Sequence, residues 1–272
     1  MEENRQNELL NRVLESVAAQ MRGSMGNIHA ALRQLTAEEY APGSREERNA
    51  AILTQSYYRL LRIIDNLSAA PLLSGGEIIR GTETDVAAWL EERVQEAQPL
   101  AQEQGLTLHY HCAAASRTVL LHKGLMEKLV WNLLSNAIKF TPAGGRVDVS
   151  LDFRGGQVLL TVSDTGCGIS PEQMETVFER YLHPERVEAL PHGLGLGLAL
   201  CRSIAEGHGG RFLLTSREGE GTTATVALPE YDDRTGTVET PVPLADGGFQ
   251  SVLVGLSDAL GYRAFTQKYL DD

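Results

Sequence analysis

Apolar positions recur at helical spacing through the first 70 residues of the chain. The first stretch steps by four and three residues, as a heptad seam does, through Leu10, Leu14, Val17, Met21, Ser24, Ile28, Ala31 and Leu35. After a loop at Pro42 and Gly43, a second seam runs through Leu53, Tyr57, Leu60, Ile64 and Leu67. Two such hairpins would cover each other's seams in a four-helix bundle, so the pattern predicts a homodimer. Alternatively, both helices pack on the rest of the same chain.

Glycines near residue 75 end this pattern, and helical and strand-like stretches then mix as far as residue 230. They lack the strict alternation of a doubly wound sheet, which favours an α+β sandwich with helices on one sheet face. A turn-rich acidic stretch and a short amphipathic tail follow, and the tail packs on the parent domain or on a partner. The predicted domains are a helical hairpin (1–75), an α/β sandwich (76–230), and a linker with the tail (231–272).

Charge and composition narrow the function. The 24 Lys and Arg against 36 Asp and Glu give a net charge of -12, which repels nucleic acid and anionic membranes. No apolar run approaches the ~18 residues of a membrane span, and the N-terminus is no signal peptide. Three widely spaced cysteines match neither a disulfide framework nor a zinc site. We expect a cytoplasmic protein without a nucleic-acid partner or a membrane span.

The stretch "LVWNLLSNAIKFTPAGG" contains the first candidate site. On a helical wheel Asn132, Asn136 and Lys139 fall within roughly 60° of each other, opposite an apolar side. A solvated polar face is the ordinary interpretation. However, Asn is a poor helix former, and two Asn residues at i and i+4 indicate that the helix holds a ligand.

Two glycine motifs follow. In "VSDTGCGI", Asp164 ends a strand-like run, and Gly166 and Gly168 would let a flat ring approach the backbone. A tight turn is the alternative. In "HGLGLGLAL" three glycines precede a helix, whose N-terminus favours phosphate, although a hinge would look the same: Gly193, Gly195 and Gly197. Neither motif matches the dinucleotide fingerprint or the common phosphate loop.

In this order and spacing the motifs resemble the ATP-binding domain shared by sensor histidine kinases, gyrase, Hsp90 and MutL. "NLLSNAIKFTP" resembles the N box of the kinases, "DTGCGI" and "GLGLGLAL" their glycine boxes, "VFERY" the F box, and "GEGTTATVALP" the closing hairpin. The resemblance covers roughly residues 84 to 229. The preceding hairpin resembles the dimerisation and histidine-phosphotransfer bundle of the same kinases.

The resemblance implies ATP and Mg²⁺ as ligands. Asp164 would accept a hydrogen bond from the adenine amino group, supported by Thr223, while Gly166 and Gly168 shape the base pocket. Asn136 would bind Mg²⁺ through its side-chain oxygen, and Asn132 would orient water or phosphate. The remaining implied nucleotide contacts are two cations for phosphate and the residues of a mobile lid: Lys139, Arg180, Gly193, Gly195, Gly197 and Leu198. Phe178 would anchor the base of that lid.

The resemblance fails at the phospho-acceptor box. Where the family has "HELRTPL", this chain has "AQMRGSM", so the acceptor position is Ala19, whose methyl group cannot accept a phosphoryl group. Only Arg22 is retained. His29 could substitute only if the hairpin shifted by about 15 Å, since it lies ten residues further along the helix.

Two functions remain open. The first is a two-component-type sensor histidine kinase core that transfers phosphate from Mg·ATP, with a response regulator or another phosphotransfer protein as partner. The second is a kinase-like dimer, a pseudokinase, that binds ATP and transfers no phosphate. Ala19 favours the second mechanism.

Overall fold

The computed structural model describes residues 2–35, 40–69, 81–178, 196–230 and 250–266, with side chains from residue 17 onward except at 33 and 35. Its helices are α1 (Glu2–Leu35), α2 (Arg45–Ser68), α3 (Val86–Glu103), α4 (Lys123–Phe140), α5 (Pro171–Thr176), α6 (Leu196–Gly207) and α7 (Ser251–Leu256). Its strands are β1 (Thr82–Asp85), β2 (Thr107–Cys112), β3 (Thr118–Leu121), β4 (Arg146–Arg154), β5 (Gln157–Asp164), β6 (Arg211–Arg217) and β7 (Gly221–Pro229). A 3-10 turn, Tyr262–Phe265, follows α7.

Helices α1 and α2 form the predicted hairpin. The N-terminus of α2 is a capping box: the Ser44 hydroxyl accepts from the Glu47 N–H (3.1 Å), and the Glu47 carboxylate accepts from the Gly43 N–H (2.6 Å). The buried face of α1 consists of Ala18, Met25 and Leu32. These residues lie one position away from the predicted seam.

The predicted seam itself faces outward in the single chain. Val17, Met21 and Ile28 are 42%, 40% and 49% exposed. The proposed packing of the α1 seam on the rest of the same chain is therefore wrong for these residues. The seam on α2 is buried only in part. Leu53 and Leu60 are exposed, whereas Tyr57 and Ile64 are buried against the rest of the chain. A helix of this kind has two apolar faces, and only one of them is covered here.

The main sheet has five strands in the order β2-β4-β5-β7-β6. Strands β2 and β4 pair in parallel and the other neighbours are antiparallel, with β4–β5 and β6–β7 as hairpins. Alternate residues of the central strands point into a core that α3, α4 and α6 cover. The predicted α+β sandwich, with helices on one sheet face, is confirmed.

A smaller antiparallel pair, β1 with β3, lies beside the main sheet. Asp85 joins this pair to α3, since its carboxylate caps the helix by accepting from the Ala87 N–H at 3.1 Å and also accepts from the Ser116 hydroxyl at 2.6 Å. These bonds to the charged form lower the pKa of Asp85.

The C-terminal residues 250–266 pack between α2 and α4. Gly255 lies directly on Trp131 of α4, and the ring of Phe265 packs on that of Tyr58 in α2 with centroids 5.5 Å apart. The tail therefore packs on its own chain, at the junction of the hairpin and the sheet domain. The predicted domain boundary at residue 75 and the predicted linker lie outside the described residues.

Within the described ranges, no helix combines the length and apolar character that crossing a membrane requires.

Candidate functional site

Helix α4 presents its apolar side to the sheet, as its sequence pattern predicts. The four apolar residues opposite the polar face are all buried: Val130, Leu133, Leu134 and Ala137. The helix begins at Lys123, after the N-cap His122, whose ring nitrogen Nδ1 accepts from the Leu125 N–H, and it ends at Phe140, before Pro142. The polar side of α4 is thereby fixed relative to the strands.

Asn132 is covered in this structure, unlike the open position that its sequence pattern indicates, and its contact with nucleotide stays a prediction. Its side chain is buried under α2, with the residue only 3% exposed. The Arg62 guanidinium donates from Nη2 to Asn132 Oδ1 (3.0 Å) and from Nη1 to the Ser135 hydroxyl (2.5 Å). Gly197 lies on the other side, where an added Cβ would be 3.2 Å from Asn132 Oδ1. The first amide is thus held by a cation of its own chain.

Asn136 and Lys139 remain partly accessible on the same face of α4. The Lys139 ammonium lies over the Phe140 ring, 5.2 Å from its centroid. Burial lowers the pKa of Lys139, the Asp258 carboxylate opposes this shift, and Arg62 and Arg59 reinforce it. Asn136 and Lys139 are therefore the members of this face that are partly exposed to solvent.

Asp164 lies at the end of β5, partly buried. Its Oδ1 accepts from the backbone N–H groups of Gly166 (2.8 Å) and Thr222 (3.2 Å). Burial raises the pKa of Asp164, and the two N–H bonds oppose that shift. None of the described residues donates to Oδ2, which leaves this oxygen available to an amino group.

The glycines after Asp164 are required by close backbone contacts. A Cβ on Gly166 would lie 2.5 Å from the Phe140 carbonyl oxygen. Gly168 has φ +67, and a Cβ there would lie 2.0 Å from the Arg217 carbonyl oxygen. The Ser216 hydroxyl accepts from the Ile169 N–H at 2.9 Å, which ties this loop to β6. These contacts show a tight loop, and its role as a wall of the base pocket stays a prediction.

Thr223 does not support Asp164, and this prediction is wrong by one residue. In the β5–β7 register Asp164 pairs with Thr222 and Ser163 pairs with Thr223. Directly paired residues share a sheet face. The Thr223 hydroxyl accordingly bonds the Ser163 hydroxyl (2.8 Å) on the opposite face, whereas Thr222 donates its N–H to Asp164.

The described part of the second glycine motif is the start of α6, where Gly197 and Leu198 lie. Gly197 contacts Asn132, so α6 begins beside the polar face of α4. Phe178 packs edge-on against Phe212 with centroids 5.9 Å apart, and the lid that it is predicted to anchor lies outside the described residues. The remaining members of the predicted set lie outside the described residues: Arg180, Gly193 and Gly195.

Asn136 can hold Mg²⁺ only together with oxygens from a ligand. Its amide oxygen is a hard donor of the kind that Mg²⁺ prefers, and its side chain is partly exposed. Among the described residues, no group of three His, Cys, Asp or Glu side chains could hold a metal ion. This donor set fits a metal that arrives with phosphate oxygens.

The acceptor position on α1 is exposed and bears only a methyl group, at Ala19. One turn further on, Arg22 donates to the Asp65 carboxylate (2.9 Å) and the Ser68 hydroxyl (2.8 Å) of α2. His29 stacks on the Tyr57 ring with centroids 5.5 Å apart, inside the hairpin contact. The retained arginine therefore joins the two helices, and His29 is not placed at the acceptor turn.

Sequence reasoning missed Arg62 and Asp258. Arg62 lies on α2, 70 residues before Asn132, and its Nη1 is 3.5 Å from Asp258 Oδ2 in the tail. A charged residue on a helix with exposed neighbours gives no local signal of burial. The one sequence feature that pointed to this contact was the amphipathic tail, whose apolar side needs a surface to pack on.

Comparison with known proteins agrees with this geometry. Residues 122–232 match the family described as histidine kinase-, DNA gyrase B- and HSP90-like ATPase. The sensor-like histidine kinase SenX3 of Mycolicibacterium smegmatis is 32% identical over 188 residues, which cover 68% of this chain and 49% of that protein. The chain contains a sensor histidine kinase core.

A second relative matches a longer part of the kinase core. The sensor protein KdpD of Escherichia coli is 29% identical over 228 residues, covering 82% of this chain and 25% of KdpD. The chain thus spans half or less of the length of these two relatives.

Solved structures show the same fold as the kinase core. Full-length ShkA in complex with AMPPNP superposes with a TM-score of 0.62 at 23% identity, covering 80% of this chain and 45% of that one. The Acinetobacter baumannii histidine kinase AdeS gives a TM-score of 0.52 at 15% identity, covering 78% of this chain and 98% of that one. At these identities the likeness concerns the fold alone.

Proposed function

We propose that this histidine kinase core binds Mg·ATP between the α4 polar face and the end of β5, as part of two-component signalling. The observation that carries the proposal is the Asp164 carboxylate, whose Oδ1 is held by two backbone N–H groups while Oδ2 has no donor among the described residues. A purine amino group supplies the missing donor. Asn136 would hold the magnesium, which would neutralise phosphate charge, and Lys139 would face the phosphates.

The exposed methyl group at Ala19 favours a second candidate function. A side chain without a lone pair cannot receive the γ-phosphoryl group. We therefore propose that the chain does not phosphorylate itself at this position. It acts either as a donor to a histidine of another protein or as an ATP-binding regulatory dimer of the pseudokinase type.

The exposed seam of α1 supports a homodimer, which we propose as the assembly. A hairpin that exposes Val17, Met21 and Ile28 on one stripe gains stability when a second hairpin covers it. A response regulator or phosphotransfer protein is the partner class that fits a kinase core of this type. The three free thiols fit a reducing compartment, so we propose a cytoplasmic location.

The Asp164→Asn variant tests the nucleotide site. Asn keeps an oxygen for the Gly166 and Thr222 N–H groups but places an NH₂ group in the pocket, where it opposes the adenine amino group. Loss of a hydrogen bond to a charged group costs about 1.5–3 kcal/mol, so we expect at least roughly tenfold weaker binding of magnesium nucleotide by calorimetry.

The matched control is Asp152→Asn, on β4, which should bind as the unaltered chain does. Unchanged affinity in Asp164→Asn would contradict the proposed site. An unaltered chain that gives no binding heat would contradict the function as a whole.

Labelling with γ-labelled ATP separates the two mechanisms. The chain alone should acquire no acid-labile phosphate, because Ala19 offers no nucleophile. Label on His29 would reverse the conclusion about self-phosphorylation. Label passed to an added receiver or phosphotransfer protein would identify the chain as a donor, and its absence would favour the pseudokinase.

A further inference from the structure

We propose that residues 250–266, the clamp, are an autoinhibitory element: wedged between α2 and α4, they hold Arg62 on Asn132 and so oppose nucleotide binding. The inference rests on the proposed nucleotide site and adds its regulation. It concerns a segment that follows the matched family region, residues 122–232.

The clamp is a built contact. Most of the α7 side chains and the residues after them are buried in the junction: Val252, Leu253, Val254, Leu256, Leu260, Ala264 and Phe265. On the α4 side, Gly255 lies so close to Trp131 that an added Cβ would be 2.4 Å from the Trp131 Cβ. The Ser251 hydroxyl also donates to the Glu127 carboxylate at 2.7 Å.

Three side chains of α2, spaced along one face, bond the other side of the clamp. Gln55 Nε2 donates to the Leu260 carbonyl (2.6 Å), and Arg59 Nε donates to the Ser257 carbonyl (3.2 Å). Arg62 Nη1 lies 3.5 Å from Asp258 Oδ2. The clamp therefore bonds α2 through backbone carbonyls and one carboxylate, and the hairpin cannot leave α4 while these bonds persist.

Arg62 is where the clamp reaches the nucleotide site. Its buried guanidinium joins Asp258 of the clamp to Asn132 and Ser135 of α4. A buried arginine needs a partner for its charge, and Asp258 is the carboxylate that the structure places there. Without the clamp, the Arg62 guanidinium loses Asp258 as its counter-ion. Arg62 can then move away from Asn132, and the Asn132 side chain can face a ligand.

Asp258 is also the carboxylate that faces the other cations of this surface. It lies 3.9 Å from Arg59 Nε, and it raises the pKa of Lys139, which burial lowers. These cations have the charge that a nucleotide's phosphates would seek. The carboxylate of the clamp thus neutralises charge that would otherwise favour binding of the anionic ligand.

The proposal predicts a coupling that must act in both directions. Displacing the clamp should tighten nucleotide binding, and nucleotide should loosen the clamp. Before Asn132 can bond the nucleotide, its hydrogen bond with Arg62 must break. We therefore expect displacement of the clamp to change the affinity for nucleotide about tenfold.

The test uses the full chain and two glycines of the clamp. Gly255→Ala inserts a methyl group into the Trp131 side chain and should expel α7, whereas Gly261→Ala has only Gln104 within 4 Å, at 3.7 Å. Calorimetry with Mg²⁺ and a non-hydrolysable ATP analogue should show about tenfold tighter binding for Gly255→Ala and no change for Gly261→Ala. Amide exchange of residues 250–266 should rise in Gly255→Ala, and in the unaltered chain when the nucleotide is added.

Two further variants act without an added methyl group. Asp258→Asn removes the charge of the clamp and should also tighten binding. Arg62→Met should tighten binding with the clamp in place, and adding Gly255→Ala to it should produce no further gain. Weaker binding in Arg62→Met would show that Arg62 positions Asn132 for nucleotide, and would overturn the proposal.

The failure of the clamp and the failure of the site are distinguishable. Equal affinity in the unaltered chain and in Gly255→Ala, with exchange showing the clamp displaced, would contradict autoinhibition alone. Absence of binding heat in every variant would contradict both the inhibition and the nucleotide site.

Discussion

At the scale of single residues, His208 joins the two helices that flank the candidate site. Its Nδ1–H donates to the Ile204 carbonyl (2.7 Å), and its Nε2 accepts from the His122 N–H (3.1 Å), which requires the neutral ring. Burial is the main cause that lowers the pKa of His208, with the nearby His122 adding to it. The end of α6 and the start of α4 are therefore tied by a bond that protonation breaks.

We predict that this bond makes stability depend on pH. Because the folded-state pKa of His208 is below the ordinary value of about 6.5, its contribution is complete above that pH and is lost as pH falls toward the folded-state pKa. His208→Gln should lower the free energy of unfolding at pH 8 by roughly 1 kcal/mol. It should also reduce the decline in the free energy of unfolding as pH falls below about 6.5, measured by urea unfolding.

His111→Gln, at an exposed position on β2, is the control and should keep the full decline. An equal slope in the two variants would contradict the assignment to His208.

Individual site residues were predictable where the local pattern alone decides their position. Asp164 and the two glycines after it follow from a strand that ends in a turn, and the contacts of Gly166 and Gly168 bear out that backbone geometry. Thr222 was missed and Thr223 named in its place, because strand side chains alternate and a shift of one residue moves the side chain to the opposite sheet face. The sequence contains two adjacent threonines and no local feature that separates them.

At the scale of elements, the loop after β5 is held by the turn between β6 and β7. The Gly219 N–H donates to the Cys167 carbonyl at 2.8 Å, and Ser216 bonds both Ile169 and the Gly221 carbonyl. The wall of the candidate base pocket is thus formed by the loop after β5 and the β6–β7 turn. These two segments are 50 residues apart in the sequence, from 167 to 217.

We predict unequal costs for two glycine substitutions in these connections. Gly219 has φ +79 with open space around it, so Gly219→Ala should cost about 1–2 kcal/mol of backbone strain. Gly168→Ala adds the overlap with the Arg217 carbonyl, and should cost roughly 3 kcal/mol or more. Urea unfolding measures both values, and equal costs would show that the 165–170 loop can move away from β6.

The orientation of a helix was predictable where it has one clear apolar side. For a helix with two apolar sides, the sequence predicts the two sides but not which of them faces its own chain. Helix α4 has its apolar side on the sheet, as its periodicity indicates. Helix α2 is apolar on two sides, and periodicity does not say which side faces its own chain. The structure buries Tyr57 and Ile64 and exposes Leu53 and Leu60.

At the scale of the whole molecule, most of the exposed large hydrophobic side chains lie on the hairpin. On α1 and α2 they are Val17, Met21, Ile28, Ile52, Leu53 and Leu60. Elsewhere in the described residues only Phe140 and Leu213 belong to this class. A surface so concentrated in one place is typical of an interface.

We predict that a charge in this surface prevents dimer formation. Met21→Glu should give single chains in light scattering at concentrations where the unaltered chain is a dimer, because burying a carboxylate in an apolar interface is costly. Leu213→Glu, at a site 63% exposed on the outer sheet face, should remain a dimer. An unaltered chain that is monomeric at these concentrations would contradict the proposed assembly.

The contact between the hairpin and the sheet domain could not be predicted. Gln55, Arg59 and Arg62 bond partners about 70 to 205 residues away, and no period within α2 marks them. Their spacing of three and four residues reads equally well as a solvated face. A solvated face and a contact face can be told apart only in the folded chain, where the tail presents carbonyls to Gln55 and Arg59.

The position of the clamp in the sequence has a consequence for how the protein is made. A ribosome completes residues 250–266 after both surfaces that they join, so the nascent chain passes through a stage in which Trp131 lacks this cover. During that stage Arg62 has no Asp258 beside it. The junction therefore closes only when synthesis has passed the last of these residues, and an early stop before residue 250 would leave the hairpin and the sheet domain joined by their direct contacts alone, such as that of Lys128 with Asp65.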